Sequence, residues 1–246
     1  MSAARRENRG PDSRSTRIRP VLPTVVAGVI RNSFAEPKGV RRRLLDNLWI
    51  ELKRYGAPNV RNIELSRIRD IQSVRVEGPV VRHGALIVSA LSMLLECEQI
   101  FDFGTSEGET AWLLAHNHPK VRIYAFDGES SSPAGDRRRF DDTIEASRIT
   151  ELRGDSATFD FSPYSGVIDL VHIDASRRPG SIRSDTDAAF SLLSELGSIV
   201  WYGYTNAPGV YAFLNELAPS LDRPIYHFLG TRLALYSRWD IVIGEP

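Results

Sequence analysis

From residue 98 onward, short apolar runs alternate with longer stretches whose apolar positions recur at helical spacing. The runs at 99–103 (QIFDF), 121–126 (VRIYAF), 149–153 (ITELR), 168–173 (IDLVHI), 197–202 (GSIVWY), 224–229 (PIYHFL) and 232–236 (RLALY) predict seven strands. The stretches 107–117, 136–147, 181–195 and 207–219 predict helices between them. Strands that are nearly continuously apolar must be covered on both faces, so the pattern predicts an α/β fold with a mostly parallel, doubly wound sheet. The last two runs are separated by little more than Gly230-Thr231, which predicts an antiparallel hairpin at the end of the sheet.

The chain before residue 98 reads differently. Residues 1–20 are polar, arginine-rich and broken by Gly and Pro, as in a flexible tail. Residues 39–56 place Leu44, Leu45, Leu48, Trp49 and Leu52 on one helical face, with Gly56 as a stop. A loop with a short helix follows, and 84–97 (GALIVSALSMLLEC) reads as an apolar helix that covers a sheet. The expected organisation is a tail (1–20), a helical appendage (21–97) serving as lid or dimerisation element, and a main domain (98–246).

Composition narrows the function class by exclusion. Hydrophobic residues make up 42% and charged residues 25%, as in an ordinary globular protein. Thirty-one basic side chains balance 31 acidic ones, so no nucleic-acid partner is indicated. Cys97 is the single cysteine, which leaves no internal disulfide and no cysteine-based zinc site. No apolar stretch approaches the ~20 residues of a membrane span, and no secretory leader is legible, so the expected setting is the cytoplasm without membrane partners.

Chemistry concentrates at the ends of the expected strands. The loop after the first strand, FDFGTSEGET, carries Asp102, Gly104, Thr105, Ser106 and Gly108. Gly104 lets the chain turn off the strand, and Gly108 lets backbone approach a ligand at a helix N-terminus. Asp127 ends the second strand, where an acid accepts hydrogen bonds from two ribose hydroxyls. Asp155 and Ser156 follow the third strand, and Asp174 ends the fourth. Four polar loops at one edge of a doubly wound sheet, where such sheets bind ligands, read together as an adenosine-type cofactor site.

On these residues the sequence resembles the class I S-adenosylmethionine (SAM)-dependent methyltransferases, in particular a small-molecule subfamily of bacterial biosynthetic clusters. The matching stretches are IFDFGTSEGETAWLLAHNHP, VRIYAFD, ITELRGDSATFDFSPYSGVIDLVHID, RSDTDAAFSLLSELGSIVWYGY and YHFLGTRLALY, across residues 98–236. The resemblance implies a Rossmann-like fold and SAM as cofactor. Asp102, Gly104, Ser106 and Gly108 would surround the methionine part, Asp127 the ribose, and Asp155 with Ser156 the adenine, with Thr105 and Asp174 also binding the cofactor.

The chain departs from the family after the fourth and fifth strands. Where the family continues with Asp-Gly-Ser/Ala-His-Ser-Tyr, this chain reads DASRRPGS, with Arg177 at the histidine position. Where the family reads Trp-His-Asp-Tyr, this chain has Trp201-Tyr202-Gly203-Tyr204. Asp174 is then the only evident oxygen ligand from the two loops, so no metal site of the family type is expected. Asp174 and His172 are the candidate bases, the latter equally readable as a buried structural histidine. Tyr202 and Tyr204 are candidates for orienting an acceptor, and Arg177 for holding an anionic group on it. Asp185 reads as a solvated or capping acid, and His116 and His118 as helix-end residues.

The leading expectation is a metal-independent SAM-dependent methyltransferase acting on a small-molecule hydroxyl of a natural product or sugar, expected as a homodimer. Two competing readings remain: the same fold running a non-methylating cyclisation or rearrangement, and a catalytically silent binding subunit.

Overall fold

The computed structural model describes residues 59–78, 83–128, 138–174 and 181–244. All of them belong to one compact unit, Asn59–Pro246. The expected 39–56 helix and the tail lie outside the described residues, as does Arg177. Eight strands form a single sheet: β1 (Arg61–Ile63), β2 (Gln99–Phe103), β3 (Arg122–Asp127), β4 (Ile149–Arg153), β5 (Ile168–Asp174), β6 (Leu193–Tyr202), β7 (Tyr226–Phe228) and β8 (Leu233–Ser237). Their order is β1-β7-β8-β6-β5-β2-β3-β4. All neighbours are parallel except β8, which runs antiparallel to both β6 and β7. The chain steps outward from β2 to β3 and β4, then returns to place β5 on the other side of β2. The topological break therefore falls between β2 and β5.

The expected doubly wound sheet and terminal hairpin are present, with eight strands instead of seven. The added strand, β1, is three residues long, too short to show alternation, and pairs with β7 at the sheet edge. It divides the expected 21–97 appendage: residues from 59 onward belong to the same unit as the sheet. Helix α1 (His83–Leu94) packs Val88 and Leu91 into one aliphatic core with Ile100 of β2, Leu170 of β5 and Val200 of β6. Helix α2 (Glu109–Asn117) adds Ala111, Leu114 and Ala115 to that core. Helices α3 (Ile182–Leu192) and α4 (Pro208–Leu217) lie on the opposite face. There Thr186 Oγ1 accepts a hydrogen bond from the Trp201 indole, and Tyr211 stacks near Tyr204.

Two expected helices change character. No α-helix forms over the described part of 136–147; Ile144–Arg148 is a short 3₁₀ turn. Asp141 Oδ2 accepts from the Arg138 N–H at 2.6 Å, and the Thr143 hydroxyl donates to the Phe140 carbonyl at 2.6 Å. Such local side-chain bonds offer the backbone an alternative to the helical ladder. The expected 181–195 helix stops at Leu192, and Leu193 already pairs with Ile168. Gly197 permits this entry, because a Cβ there would lie 2.8 Å from the Leu193 side chain and 2.9 Å from the Ile168 carbonyl.

The crossover from β4 to β5 contains no α-helix. Phe159, Phe161 and Tyr164 cover that part of the sheet instead, meeting Phe101, Phe103 and Phe126 with ring centroids 5.0–5.8 Å apart. No helix among the described residues is long and apolar enough to cross a membrane.

Candidate active site

The alternation of strands β2, β3, β5 and β6 puts Asp102, Asp127, His172, Asp174 and Tyr202 on the face that carries the aliphatic core, at or near the carboxyl ends. The carboxyl edge thus holds a row of polar groups directly beyond an apolar floor. At the topological break the loops after β2 and β5 touch: Gly104 has φ +83°, and a Cβ there would lie 2.9 Å from the Asp174 carbonyl. Glycine at 104 is required by this close approach.

Asp102 and His172 face each other across β2 and β5 and are joined, Asp102 Oδ1 to His172 Nδ1, at 2.6 Å. Asp102 Oδ2 accepts from the Thr105 hydroxyl at 3.0 Å. Both side chains of the pair are nearly fully buried. Asp102 and Thr105, both expected to bind the cofactor, are thus bonded to each other, and Asp102 also to His172. His172 takes the structural option open to it in the sequence and sits one pleat below Asp174.

Ser106 has φ +51°, and its N–H donates to Asp127 Oδ2 at 3.1 Å. The same oxygen accepts from Arg138 Nη1 at 3.3 Å. The space beside Gly108 is filled by protein, since a Cβ there would lie 2.5 Å from the Phe140 ring. The Cβ side of Gly108, expected where backbone approaches a ligand, is occupied by the Phe140 ring. Arg138 was not legible as a site residue; its only signal is the basic run DRRRF after the second strand.

Asp155 is exposed and closes its own turn, with Oδ1 accepting from the Ala157 N–H at 3.0 Å. Ser156 is buried and shares a 3.0 Å hydrogen bond with Ser184 of α3, which ties the β4 loop to the first turn of that helix. Asp185 is buried as well, where the sequence suggested a solvated or capping acid. Its Oδ2 accepts from the Ser181 hydroxyl at 2.8 Å, a contact across the first helical turn.

Asp174 ends β5, buried and in register with Tyr202 of β6. The Tyr202 hydroxyl accepts from Arg232 Nη1 at 3.1 Å, and its ring packs against Gly84 of α1. Tyr204 is removed from any acceptor position: it is buried, and its hydroxyl accepts from Asn215 Nδ2 at 3.1 Å. Gly203, where the resembling family carries an acid, has φ +107°.

His116 Nδ1 lies 2.9 Å from Glu145 Oε1 and the ring stacks on Trp112. The histidine hydrogen bond, aided by further local bonds, holds the Glu145 carboxyl below its ordinary range. Burial pushes His118 down. Among the described residues no group of three or more His, Cys, Asp or Glu is arranged to hold a metal ion.

No protein-family model matches the sequence, and no curated protein sequence matches it. Solved structures do match the fold. TomG from Streptomyces achromogenes, an O-methyltransferase of tomaymycin synthesis solved with SAM, is 16% identical. The match covers 74% of this chain and 100% of that one, at a TM-score of 0.53. Cofactor-bound Rv0187 from MTB is also 16% identical, with 67% and 84% covered and a TM-score of 0.52. A methyltransferase from Geobacter sulfurreducens is 16% identical over 64% of this chain and 79% of that chain, at a TM-score of 0.50. The fold is therefore the Rossmann-like fold of the methyltransferases.

Proposed function

We propose that the protein is a SAM-dependent methyltransferase that transfers the methyl group to a hydroxyl of a small molecule, a natural product or a sugar, without a divalent metal. The observation that carries this reading is the row Asp127, Ser156 and Asp174 at the carboxyl ends of β3, β4 and β5, around the topological break beside Gly104. That edge is where a doubly wound sheet holds an adenosine-type ligand. The residues fit such a cofactor: Asp127 would accept ribose hydroxyls, and the Gly104 turn, which brings the β2 and β5 loops together, would hold its amino-acid end.

When bound, the cofactor supplies an electrophilic methyl on a sulfonium. Asp174, at the strand's end, takes the acceptor's proton at its carboxylate. Tyr202, held by Arg232, fixes the acceptor's orientation, which is a large part of the rate enhancement available to a transfer of this kind. His172, bonded to Asp102, lies two residues before Asp174 on the same face of β5. The metal-independent reading rests on the sequence of the two segments, DASRRPGS and WYGY, in which Gly203 offers no side chain and Asp174 is the only carboxylate.

Isothermal titration with SAM and with S-adenosylhomocysteine (SAH) tests the proposal. Saturable binding of both is expected, with Asp127→Asn weakening each by about tenfold, the worth of one lost charged hydrogen bond. Absence of binding by either at millimolar ligand would falsify the reading.

A further inference from the structure

The part of the carboxyl edge away from Asp127 carries a cation that no acid answers. Strands β5, β6 and β8 are neighbours, with Asp174 in register with Tyr202 and Tyr202 in register with Leu233. Because β8 runs antiparallel to β6, its first residues stand at the same edge as Asp174 and Tyr202. Arg232, one residue before β8, is exposed there. Two strand spacings, about 10 Å of backbone, separate the start of β8 from Asp174.

Arg232 is fastened at its base and little engaged at its tip. Its carbonyl accepts from the N–H groups of Gly203 and Tyr204, at 2.8 and 3.0 Å. The φ of +107° at Gly203 favours glycine, so the residue that stands where the resembling family carries an acid helps to fasten Arg232. At the tip, Nη1 donates to the Tyr202 hydroxyl at 3.1 Å. Tyr202 shares the face of Asp174 and lies against Gly84 of α1, so this bond draws the guanidinium toward that face. Among the described residues no carboxylate forms an ion pair with Arg232. Arg138, Arg153 and Arg183, by contrast, face Asp127, Glu151 and Glu216. A guanidinium carries five N–H donors in a fork, and a neutral phenol occupies one of them. The remainder matches an oxyanion that offers two acceptor oxygens, a carboxylate or a phosphate.

We propose that Arg232 determines acceptor specificity: it binds an anionic group, a carboxylate or a phosphate, at the end of the acceptor opposite the hydroxyl that is methylated. The inference rests on the methyltransferase reading above, in which that hydroxyl lies at Asp174. The separation of the two strand ends leaves room for a ring between the hydroxyl and the anionic group. The acceptor class is therefore a ring-bearing hydroxy acid or hydroxylated phosphate ester, and a neutral acceptor leaves the guanidinium unanswered.

Calorimetry on the SAH-loaded protein, with three phenols that share a ring and a hydroxyl, provides the test. The group opposite the hydroxyl is a carboxylate in 4-hydroxybenzoate, a phosphate in 4-hydroxyphenyl phosphate and a neutral amide in 4-hydroxybenzamide. At least one anionic phenol is expected to bind wild type about tenfold more tightly than the amide, the worth of one charge-assisted hydrogen bond. Which of the two does so tells carboxylate from phosphate. Arg232→Gln is expected to abolish the preference, and Arg232→Lys, which keeps the charge without the fork, to retain part of it. Failure of both anionic phenols to bind, or a preference that survives Arg232→Gln, overturns the proposal. So does an equal loss for all three phenols in Arg232→Gln, which would reduce Arg232 to a support for Tyr202. The SAH titration separates the two readings. If SAH binds and the anion preference is absent, only this proposal falls; if SAH does not bind, the methyltransferase reading falls with it.

Discussion

The two faces of the sheet solve the burial problem in opposite ways. One face, under α1 and α2, is aliphatic in its interior, and it carries the buried charges, Asp102 with His172 and Asp127 with Arg138, at its carboxyl end. The other face, between β4 and β5, is closed by aromatic rings from a segment without an α-helix. Large flat rings bury much area from few backbone positions, so a loop can cover strands there. Aliphatic packing needs whole helices, and those helices begin at the carboxyl edge, where backbone and side-chain polar groups gather. The buried charge pairs thus lie on the face under α1 and α2, and the aromatic segment shares the opposite face with α3 and α4.

The largest expected effect comes from breaking the aromatic face. Phe101 is fully buried and touches five other rings. Phe101→Ala is expected to cost about 3–5 kcal/mol in urea unfolding. A cost below about 1 kcal/mol would show that the loop is a dispensable cover.

A smaller effect is expected on the charged face. Asp102→Asn weakens the bond to His172 and is expected to cost about 2 kcal/mol. The distinguishing measurement is a double-mutant cycle with His172→Gln, in which the two changes are expected to be strongly non-additive. Additive losses would mean that the pair is not energetically joined.

The smallest expected effect lies at the rim, where Glu145 meets His116. Its folded-state pKa is lowered, so the stabilisation is present above the unfolded carboxyl value and disappears as pH falls through the folded one. Glu145→Gln is expected to cost about 1 kcal/mol near neutral pH and nothing in acid, where the wild-type carboxyl is itself protonated. An equal loss at both pH values would assign the effect to packing.

Much of the scaffold was legible because it depends on local pattern. The strand 99–103 and the hairpin at the end of the sheet follow from apolar runs and turn residues. What failed did so for stated reasons. Strand β1 is too short to alternate, and the segment from 138 spends its side chains on its own backbone. In the site, the positions of Asp127 and Asp174 at strand ends were readable, whereas their partners were not. Arg138 lies 11 residues beyond Asp127, across a segment with no periodic signal.

By itself the sequence determined the α/β alternation, the parallel sheet and the row of polar residues at its edge, since each follows from side-chain period and strand ends. Only the tertiary structure decided what those residues hold. A carboxylate takes the nearest donor that folding brings to it. Asp102 therefore turns to His172 across 70 positions of sequence, and Asp127 turns to Arg138 and Ser106. The spacing of residues along a chain fixes which edge a side chain reaches, but not which neighbour satisfies it there.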